Sequence, residues 1–329
     1  MSNRTLGVCL AAFALLFAFP IGGTPLNAQA WPSARPITIV VIVPPGPAID
    51  MMTRLIAPKL SDALGQTVIV DNRGGANGTI ASAAIARAAP DGYTLLAATA
   101  ASHVTAAHLM KSLPYNPVSD FTPIMAAAEP VTVLVVNTNL PVNSVPELIA
   151  YARENPHILS YGSSGVGSVF HLTGELFNRL AGVKMLHVPY RGVGQAIQDL
   201  AAGHIQVMHV SLSSARGAVE SGKARVLAVL EPRRYARTPN VPSLSEVIPS
   251  FRKPSTWFGY FGPPKLPPSI VARLNGELRS VMKLPDVRDT LERNDLAVIA
   301  GPPEELAAIQ RAGIEEFGII VRELGIEPQ

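Results

Sequence analysis

Apolar runs alternate along this chain with segments of helical periodicity, and this alternation limits the possible folds more than any other feature. The run ITIVVIV at 37–43 is typical of a strand covered on both faces. The segment at 48–65 has helical spacing and should end at Gly65. Similar pairs follow at 67–89, after 93, and from 131 to 231. Strands that alternate with helices predict an α/β fold with parallel strands and crossover helices.

The length and the apolar content predict two lobes. The chain has 329 residues, 48% of them hydrophobic, which exceeds the usual size of one domain. The pattern shifts near residue 130, and a proline-rich connector at 238–251 precedes two amphipathic helical segments. We expect lobe 1 to comprise 31–130 plus 252–329 and lobe 2 to comprise 131–251. Each lobe should contain a mostly parallel sheet flanked by helices.

Residues 1–30 have the pattern of a secretory signal peptide. Arg4 precedes an apolar core at 6–19, and AQA at 28–30 provides small residues before a cleavage point after Ala30. A membrane anchor would need about 20 apolar residues, and Pro20 interrupts the run too early for that. We therefore expect an exported, periplasmic protein.

Charge and cysteine content exclude several kinds of partner. The formal charge is only +3, with 16% charged residues, which is too weak for a nucleic-acid footprint. The one cysteine, Cys9, lies within the signal segment, and the seven histidines have no metal-type spacing. We expect no metal, no cofactor and no nucleic-acid partner.

Three strand-to-helix junctions could bind a ligand, because ligands bind beyond the carboxyl ends of parallel strands, where helix N-termini expose amides. They are the corner at 44–50, the loop at 73–79 and the loop at 163–168. Any one of them alone is more often an ordinary turn, and none matches a phosphate-binding loop. Because glycine-rich loops occur in both lobes, a cleft closing from two sides on a dicarboxylate or similar anion is favoured.

Several side chains near these junctions have alternative interpretations. Asp50 could bind a ligand ammonium or hydroxyl, or stabilise the first helical turn. Arg191 could bind a carboxylate beside Tyr190, although an arginine in such a position more often lies on a solvated turn. His103 is more often a structural histidine. An exported hydrolase or transferase using Ser164 or Ser168 with His171 is the alternative function.

Together the motifs resemble the tripartite tricarboxylate transporter substrate-binding proteins, also called the Bug family. The resemblance rests on WPSARPITIVVIVPPGPAID, on LGQTVIVDNRGGANGTIASAAIARAAPDGYTLL, on YGSSGVGSVFHLTGELF, on HVPYRGVGQAIQDLAAG and on STWFGYFGPPKLPPSIVARLN. It implies a type II periplasmic-binding-protein fold, no enzymatic activity and delivery of a small carboxylate to a membrane permease. The family's ligand contacts match 45–50, 77–79 and 163–168.

With the residues considered above, the predicted contacts are Pro45, Gly46, Pro47, Ala48, Ile49, Asp50, Asn77, Gly78, Thr79, Ser102, Ser163, Ser164, Gly167, Ser168, Tyr190 and Arg191. We expect a monomer. Binding could also serve sensing or chemotaxis, which the same residues would allow.

Departures from the family pattern suggest a hypothesis about the ligand. The family's first loop usually has Gly and Thr where this chain has Pro47 and Ile49, and Gln206, His209 and Val210 replace Asp, Phe and Asp. Pro47 removes a backbone N–H and Ile49 lacks a hydroxyl. On this basis we expect an aromatic or relatively apolar carboxylate.

Overall fold

The computed structural model describes residues 31–323 and 325–328, so the predicted signal segment lies outside the described residues. The strands are β1 (Ile37–Val41), β2 (Val68–Asn72), β3 (Thr94–Thr99), β4 (Thr122–Pro130), β5 (Thr132–Asn137), β6 (Ser160–Ser163), β7 (Leu186–Pro189), β8 (Val207–Ser211), β9 (Ala224–Val229), β10 (Phe258–Gly262) and β11 (Leu296–Val298). The helices are α1 (Ala48–Leu64), α2 (Thr79–Ile85), α3 (Ala106–Leu109), α4 (Val145–Glu154), α5 (Val169–Ala181), α6 (Val193–Ala202), α7 (Leu212–Glu220), α8 (Leu244–Val247), α9 (Pro268–Met282), α10 (Pro285–Arg293) and α11 (Pro303–Glu323).

The strands form two sheets. The first has the order β11-β4-β10-β3-β1-β2, and the second has the order β7-β6-β8-β5-β9. Helices flank both sheets, so the predicted α/β class is confirmed. In the first sheet, alternate residues of β1 face opposite cores: Ile39 packs in the cluster that contains Met52 of α1, and Val40 packs in the cluster that contains Phe317 of α11. Burial on both faces explains the uninterrupted apolar run in β1.

The expectation of mostly parallel sheets was wrong. β1 pairs in parallel with β2 and β3, but β10 pairs antiparallel with both β3 and β4. In the second sheet, β5 pairs antiparallel with β8 and β9. β5 and β10 each follow a segment that crosses from one sheet to the other. Each therefore runs in the opposite direction to the neighbouring strands, which crossover helices connect in parallel.

Local signals at the helix ends agree with the structure. α1 ends at Gly65, which has the left-handed conformation at φ 65°, where glycine is favoured. Ser144 accepts a hydrogen bond from the Glu147 N–H at the start of α4. Among the described residues, no helix is long and apolar enough to span a bilayer.

The two sheets draw on different parts of the chain. The first sheet takes its strands from residues 37–130 and 258–298, and the second from residues 132–229. β4 leads into β5 through Val131, and the chain returns between β9 and β10. The exact lobe boundaries given above stay a prediction.

Candidate ligand-binding site

The three junctions lie at the carboxyl ends of parallel strands. The corner at 44–50 follows β1, and the loop at 73–79 follows β2, its parallel neighbour. In the second sheet, the loop at 163–168 follows β6, and the turn that contains Tyr190 follows the parallel strand β7. Each sheet therefore brings two of the predicted segments together at one edge.

The corner leaves the start of α1 without a side-chain cap. Pro47 is the N-cap residue, and its carbonyl accepts the N–H groups of Asp50 and Met51. The N–H groups of Ala48 and Ile49 have no carbonyl acceptor within the helix, because they lie in its first turn. Gly46, at φ 118°, adopts a conformation that favours glycine. The corner thus offers backbone donors next to four exposed residues, 44–47.

Asp50 holds this corner in place. Its side chain is 3% exposed and accepts hydrogen bonds from the Gly46 N–H (2.9 Å), Asn72 Nδ2 (2.8 Å) and Arg54 Nε (3.0 Å). Burial raises the pKa of Asp50, but the hydrogen bonds from Asn72, Gly46 and Arg54 outweigh it, so that this pKa lies below its ordinary value. Its acceptors are thus used within the protein, which favours the structural interpretation.

The loop at 73–79 packs against the corner. A Cβ atom on Gly74 would lie 2.7 Å from Pro44 Cδ, and one on Gly78 would lie 2.6 Å from Ile42 Cδ1. Thr79 is buried, and its hydroxyl donates to the Ala76 carbonyl at 2.9 Å. Asn77 is exposed with φ 54°. Of the predicted contacts at 77–79, only Asn77 therefore has an exposed side chain.

Ser102 and His103 belong to the core. Both side chains are fully buried, and the Ser102 hydroxyl bonds the Thr99 carbonyl (3.3 Å) and His103 Nδ1 (2.9 Å). Ser102 therefore cannot offer its hydroxyl to a ligand in this conformation. The sequence placed it after a strand but could not indicate that the strand is followed by a buried π-helical turn, Ala101–Thr105.

The loop at 163–168 surrounds a buried serine. Ser163 is fully buried, and its hydroxyl lies 3.0 Å from the Gly165 carbonyl, 3.1 Å from the Gly165 N and 2.7 Å from His187 Nε2. Ser168 caps α5 by accepting the His171 N–H at 3.2 Å. Gly165 and Gly167 have φ values of 123° and 75°. Ser164 is half-buried, and the exposed side chain at the tip is Val166.

Tyr190 and Arg191 differ in their surroundings. The Tyr190 hydroxyl donates to Asp199 Oδ2 at 2.8 Å, and its N–H donates to the Ser163 carbonyl at 3.1 Å. Burial and Asp199 raise the pKa of Tyr190 to about 12. Arg191 is exposed. Tyr190 therefore supports the serine-glycine loop, whereas Arg191 is the cation available at this turn.

A nucleophile–base pair of Ser164 or Ser168 with His171 has no support in the geometry. His171 Nδ1 accepts the Gly167 N–H at 3.0 Å, and Ser168 contacts the backbone of His171, not its ring. The serine–histidine contact in this loop is Ser163 with His187, and that serine is fully buried. Sequence reasoning missed His187; its register opposite Tyr161 in the β6–β7 pair is what brings it to the loop. No cluster of three or more potential metal ligands occurs among the described residues.

The residues behind the apolar-ligand hypothesis mostly do not face a pocket. Ile49 is 2% exposed in the core of the first sheet, and Val210 is fully buried in that of the second. His209 is also fully buried, and Gln206 bonds the Ser160 N–H at 3.0 Å. His209 and Val210 are buried because β8 is covered on both faces, and Ile49 is buried because it lies on the core side of α1. Only Pro47 remains as an exposed departure from the pattern.

Comparisons with known proteins agree with the resemblance. A family model described as "Tripartite tricarboxylate transporter family receptor" matches residues 52–326. A relative from Pseudomonas sp. (strain P51) is 38% identical over 297 residues, covering 90% of this chain and 88% of its own. A structure from R. palustris with adipate is 33% identical, with a TM-score of 0.82, covering 91% of this chain and 100% of that one. A Rhodopseudomonas palustris structure with bound malate is 31% identical, with a TM-score of 0.75 and coverages of 88% and 99%.

These matches confirm the predicted family and the solute-binding-protein fold. The family and the structural neighbours are periplasmic solute-binding receptors and not enzymes. The sequence similarity extends through both sheets, since the matched residues include β2 to β11. The chain therefore belongs to the tripartite tricarboxylate transporter receptor family.

Proposed function

We propose that this protein is an exported receptor that captures an aliphatic dicarboxylate between its two lobes and delivers it to a membrane permease of the tripartite tricarboxylate type. The observation that carries the proposal is a pair of helix N-termini, one at each sheet, that open into glycine-rich loops. They belong to α1, after the proline corner, and to α5, after the serine-glycine loop.

Each terminus offers donors suited to a carboxylate. The first two N–H groups of α1 come from Ala48 and Ile49, and those of α5 come from Val169 and Phe170. Such groups have no intrahelical acceptor, and the helix dipole adds a partial positive charge there. One carboxylate at each terminus would match a ligand with two acid groups. The exposed Arg191 adds a full positive charge near the second terminus.

Contacts between the elements support a shared crevice. The turn Ala76–Gly78 contacts the π-helical turn Ala101–Thr105, which continues into α3. A Cβ atom on Gly167 would lie 2.5 Å from Leu109 Cδ1 at the end of α3. The loop at 163–168 thus meets residues that follow the first-sheet loops. Closure of lobe 2 (131–251) on lobe 1 (31–130 with 252–329) would enclose a ligand there.

The ligand class follows from the neighbours and from the exposed side chains. The two R. palustris structures contain adipate and malate, both aliphatic dicarboxylates. The exposed residues around the termini in this chain include Pro45, Pro47 and Val166, which can contact methylene groups, and Asn77, whose side-chain amide can bond a polar group. With Ile49 and Val210 buried, we favour an aliphatic chain over an aromatic ring.

Calorimetric titration of the mature protein tests the ligand class. We expect adipate to bind more tightly than malate, citrate, an aromatic dicarboxylate or benzoate, because it has two carboxylates and no hydroxyl to satisfy. Benzoate, with one carboxylate, is the control for the second anion position. Tight binding of benzoate or of the aromatic dicarboxylate with none of adipate would contradict the proposal.

Substitution of Ala48 by proline should weaken adipate binding while leaving the fold intact. Proline is tolerated at the first position of a helix, and Pro47, at ψ 160°, has the extended conformation that a following proline requires. The change removes one backbone donor. The loss of a hydrogen bond to a charged group, about 1.5–3 kcal/mol, corresponds to a roughly 10- to 150-fold higher Kd.

The matched control is Ala48→Val, which adds similar bulk and keeps the N–H group. Equal affinities for Ala48→Pro and Ala48→Val would rule out this amide as a ligand donor. Export with cleavage after Ala30, a monomeric state and delivery to a permease complete the proposal. Mass spectrometry of the secreted protein, light scattering and uptake assays in a permease-deletion strain would test them in turn.

A further inference from the structure

Two stacked histidines lie beneath the serine-glycine loop and hold its two ends. The rings of His171, in the first turn of α5, and His187, on β7, have centroids 3.9 Å apart and an interplanar angle of 23°. His187 Nε2 lies 2.7 Å from the hydroxyl of Ser163, at the start of the loop. His171 Nδ1 accepts the N–H of Gly167, near its end, at 3.0 Å. The loop conformation thus depends on both rings.

The two hydrogen bonds respond differently to protonation. The Gly167 N–H can only donate, so His171 Nδ1 must be an unprotonated acceptor for this bond to exist. A proton on Nδ1 would place two donors against each other. The Ser163 hydroxyl can donate to the Gly165 carbonyl while accepting from His187 Nε2–H, so a proton on His187 keeps its bond. His171 is therefore the proton-sensitive member of the pair.

The surroundings keep both rings neutral near pH 7. Burial lowers the pKa of His171, and the nearby carboxylate of Glu175 opposes this effect. Burial, and then the adjacent His171, lower the pKa of His187 to about 4. From β6, the Tyr161 hydroxyl donates to Glu175 at 2.6 Å, and its ring stacks on His187 at 5.0 Å.

Other elements also approach the pair: α11 packs against α5, where Arg179 pairs with Glu323. Beyond Tyr161, the buried ring of His209 on β8 lies 6.3 Å from the Tyr161 ring, and burial lowers its pKa to about 3, so it is neutral as well. On the first-lobe side, the residue that meets the loop is the aliphatic Leu109. Glu175 is the carboxylate that opposes the effect of burial on the pKa of His171.

We propose that His171 is a positioning residue for carboxylate binding, whose neutral imidazole holds the Gly167 amide and with it the serine-glycine loop in the binding conformation. Protonation of His171 releases the loop and weakens the binding of the carboxylate. This inference rests on the proposed function, because it assigns a consequence for affinity at the same site. It predicts a receptor that holds its ligand well at neutral pH and releases it on acidification.

Three forms of the mature protein, titrated with adipate between pH 8 and pH 5, test the inference. His171→Leu removes the acceptor and should raise the Kd by roughly 2- to 12-fold at pH 8, as expected for a neutral hydrogen bond. His171→Asn retains an acceptor oxygen near the Nδ1 position and does not titrate, so it should bind more tightly than His171→Leu. The wild type should lose affinity toward pH 5 more steeply than His171→Asn.

Protonation of adipate itself affects all three proteins equally, so its contribution cancels when their pH profiles are compared. A second measurement needs no ligand: the Gly167 amide resonance should follow the titration of the His171 ring in the wild type and stay constant in His171→Asn. Parallel pH profiles for wild type and His171→Asn, or an affinity that rises toward pH 5, would overturn the inference alone. Failure of the wild type to bind adipate at pH 8 would overturn the proposed function with it.

Discussion

Replacing Lys253 by methionine is expected to lower the free energy of unfolding by about 3–5 kcal/mol, because it leaves two carboxylates without their shared cation. The Lys253 side chain is 7% exposed, and its Nζ lies 2.6 Å from Glu129 Oε1 and 2.8 Å from Glu231 Oε2. Burial raises the pKa of Glu231, which Lys253 opposes and Glu129 reinforces. Without the ammonium, repulsion and desolvation act together on this pair.

Lys253 connects the two segments of the chain that cross between the sheets. Glu129 ends β4 and accepts the Thr256 hydroxyl at 3.1 Å, whereas Glu231 follows β9 and accepts the Thr132 N–H at 2.9 Å. One ammonium thus ties the segment entering the second sheet to the segment returning from it. Its loss should also loosen the linkage of the lobes.

Urea denaturation at pH 7 measures the effect. Lys283→Met, at an exposed lysine, is the matched control and should change stability by less than about 0.5 kcal/mol. The triple variant Lys253→Met/Glu129→Gln/Glu231→Gln should recover a large part of the loss, since it removes the charges and keeps acceptors for Thr132 and Thr256. An unchanged midpoint for Lys253→Met would show that the triad contributes nothing.

The second large effect is a loss of stability on acidification, caused by two histidines buried as neutral rings. His103 and His209 are fully buried, and burial lowers the pKa of each to about 3. The Nε2 atom of His103 and both ring nitrogens of His209 have no hydrogen-bond partner among the described residues. Nothing around them compensates for a positive charge.

The sign follows from the protons bound in each state. Unfolded histidine takes up a proton below about pH 6.5, whereas the folded rings stay neutral to about pH 3, so the unfolded state binds more protons in between. Stability is thus fully present above about pH 6.5 and is lost as the pH falls. At pH 4.5, two units lower, each ring costs about 3 kcal/mol, and both together cost about 5 kcal/mol.

His209→Phe separates this effect from the titration of carboxylates. The ring lies 5.5 Å from Phe177 and 6.3 Å from Tyr161, so the aromatic ring of phenylalanine suits the site. The variant should gain about 1–3 kcal/mol at pH 7 by removing unpaired polar atoms. Between pH 6.5 and 4.5 it should lose about 3 kcal/mol less stability than the wild type.

His204→Gln, at a histidine whose side chain is 71% exposed, is the surface control. Thermal or urea unfolding across this pH range, for the three proteins in one buffer series, provides the comparison. Parallel losses of stability in the wild type and in His209→Phe would contradict the explanation.

The strands that were predicted and those that were missed differ in how their signals arise. β1, β2, β3, β5, β8 and β9 lie in apolar runs that are bounded by helical segments, and this pattern predicts strands. β4 is rich in alanine, β10 is a short aromatic stretch, and β11 has three residues. All three pair with strands distant in sequence, and β10 lies between β3 and β4. Local composition contains no information about such partners.

In the candidate site, too, some features could be predicted from the sequence and others depend on tertiary contacts. The corner at 44–50 and the two glycine loops could be located from proline and glycine, whose backbone preferences are properties of the residue itself. The burial of Ile49, Ser102 and Val210 could not be predicted from the sequence, because it depends on which elements cover each strand or helix. The support of the loop by His171 and His187 depends on the pairing of β6 with β7.

The sequence by itself determined the α/β class, the positions of the strand-to-helix corners and the family, because periodicity, helix-stop glycines and ordered motifs are local features. The tertiary structure alone decided the antiparallel course of β5 and β10, the shared lysine between the crossings and which side chains at the corners face solvent. Those features arise from contacts between residues far apart in the chain, such as Glu129 with Lys253. The free energy of such contacts depends on burial and partner geometry, which the order of residues does not display.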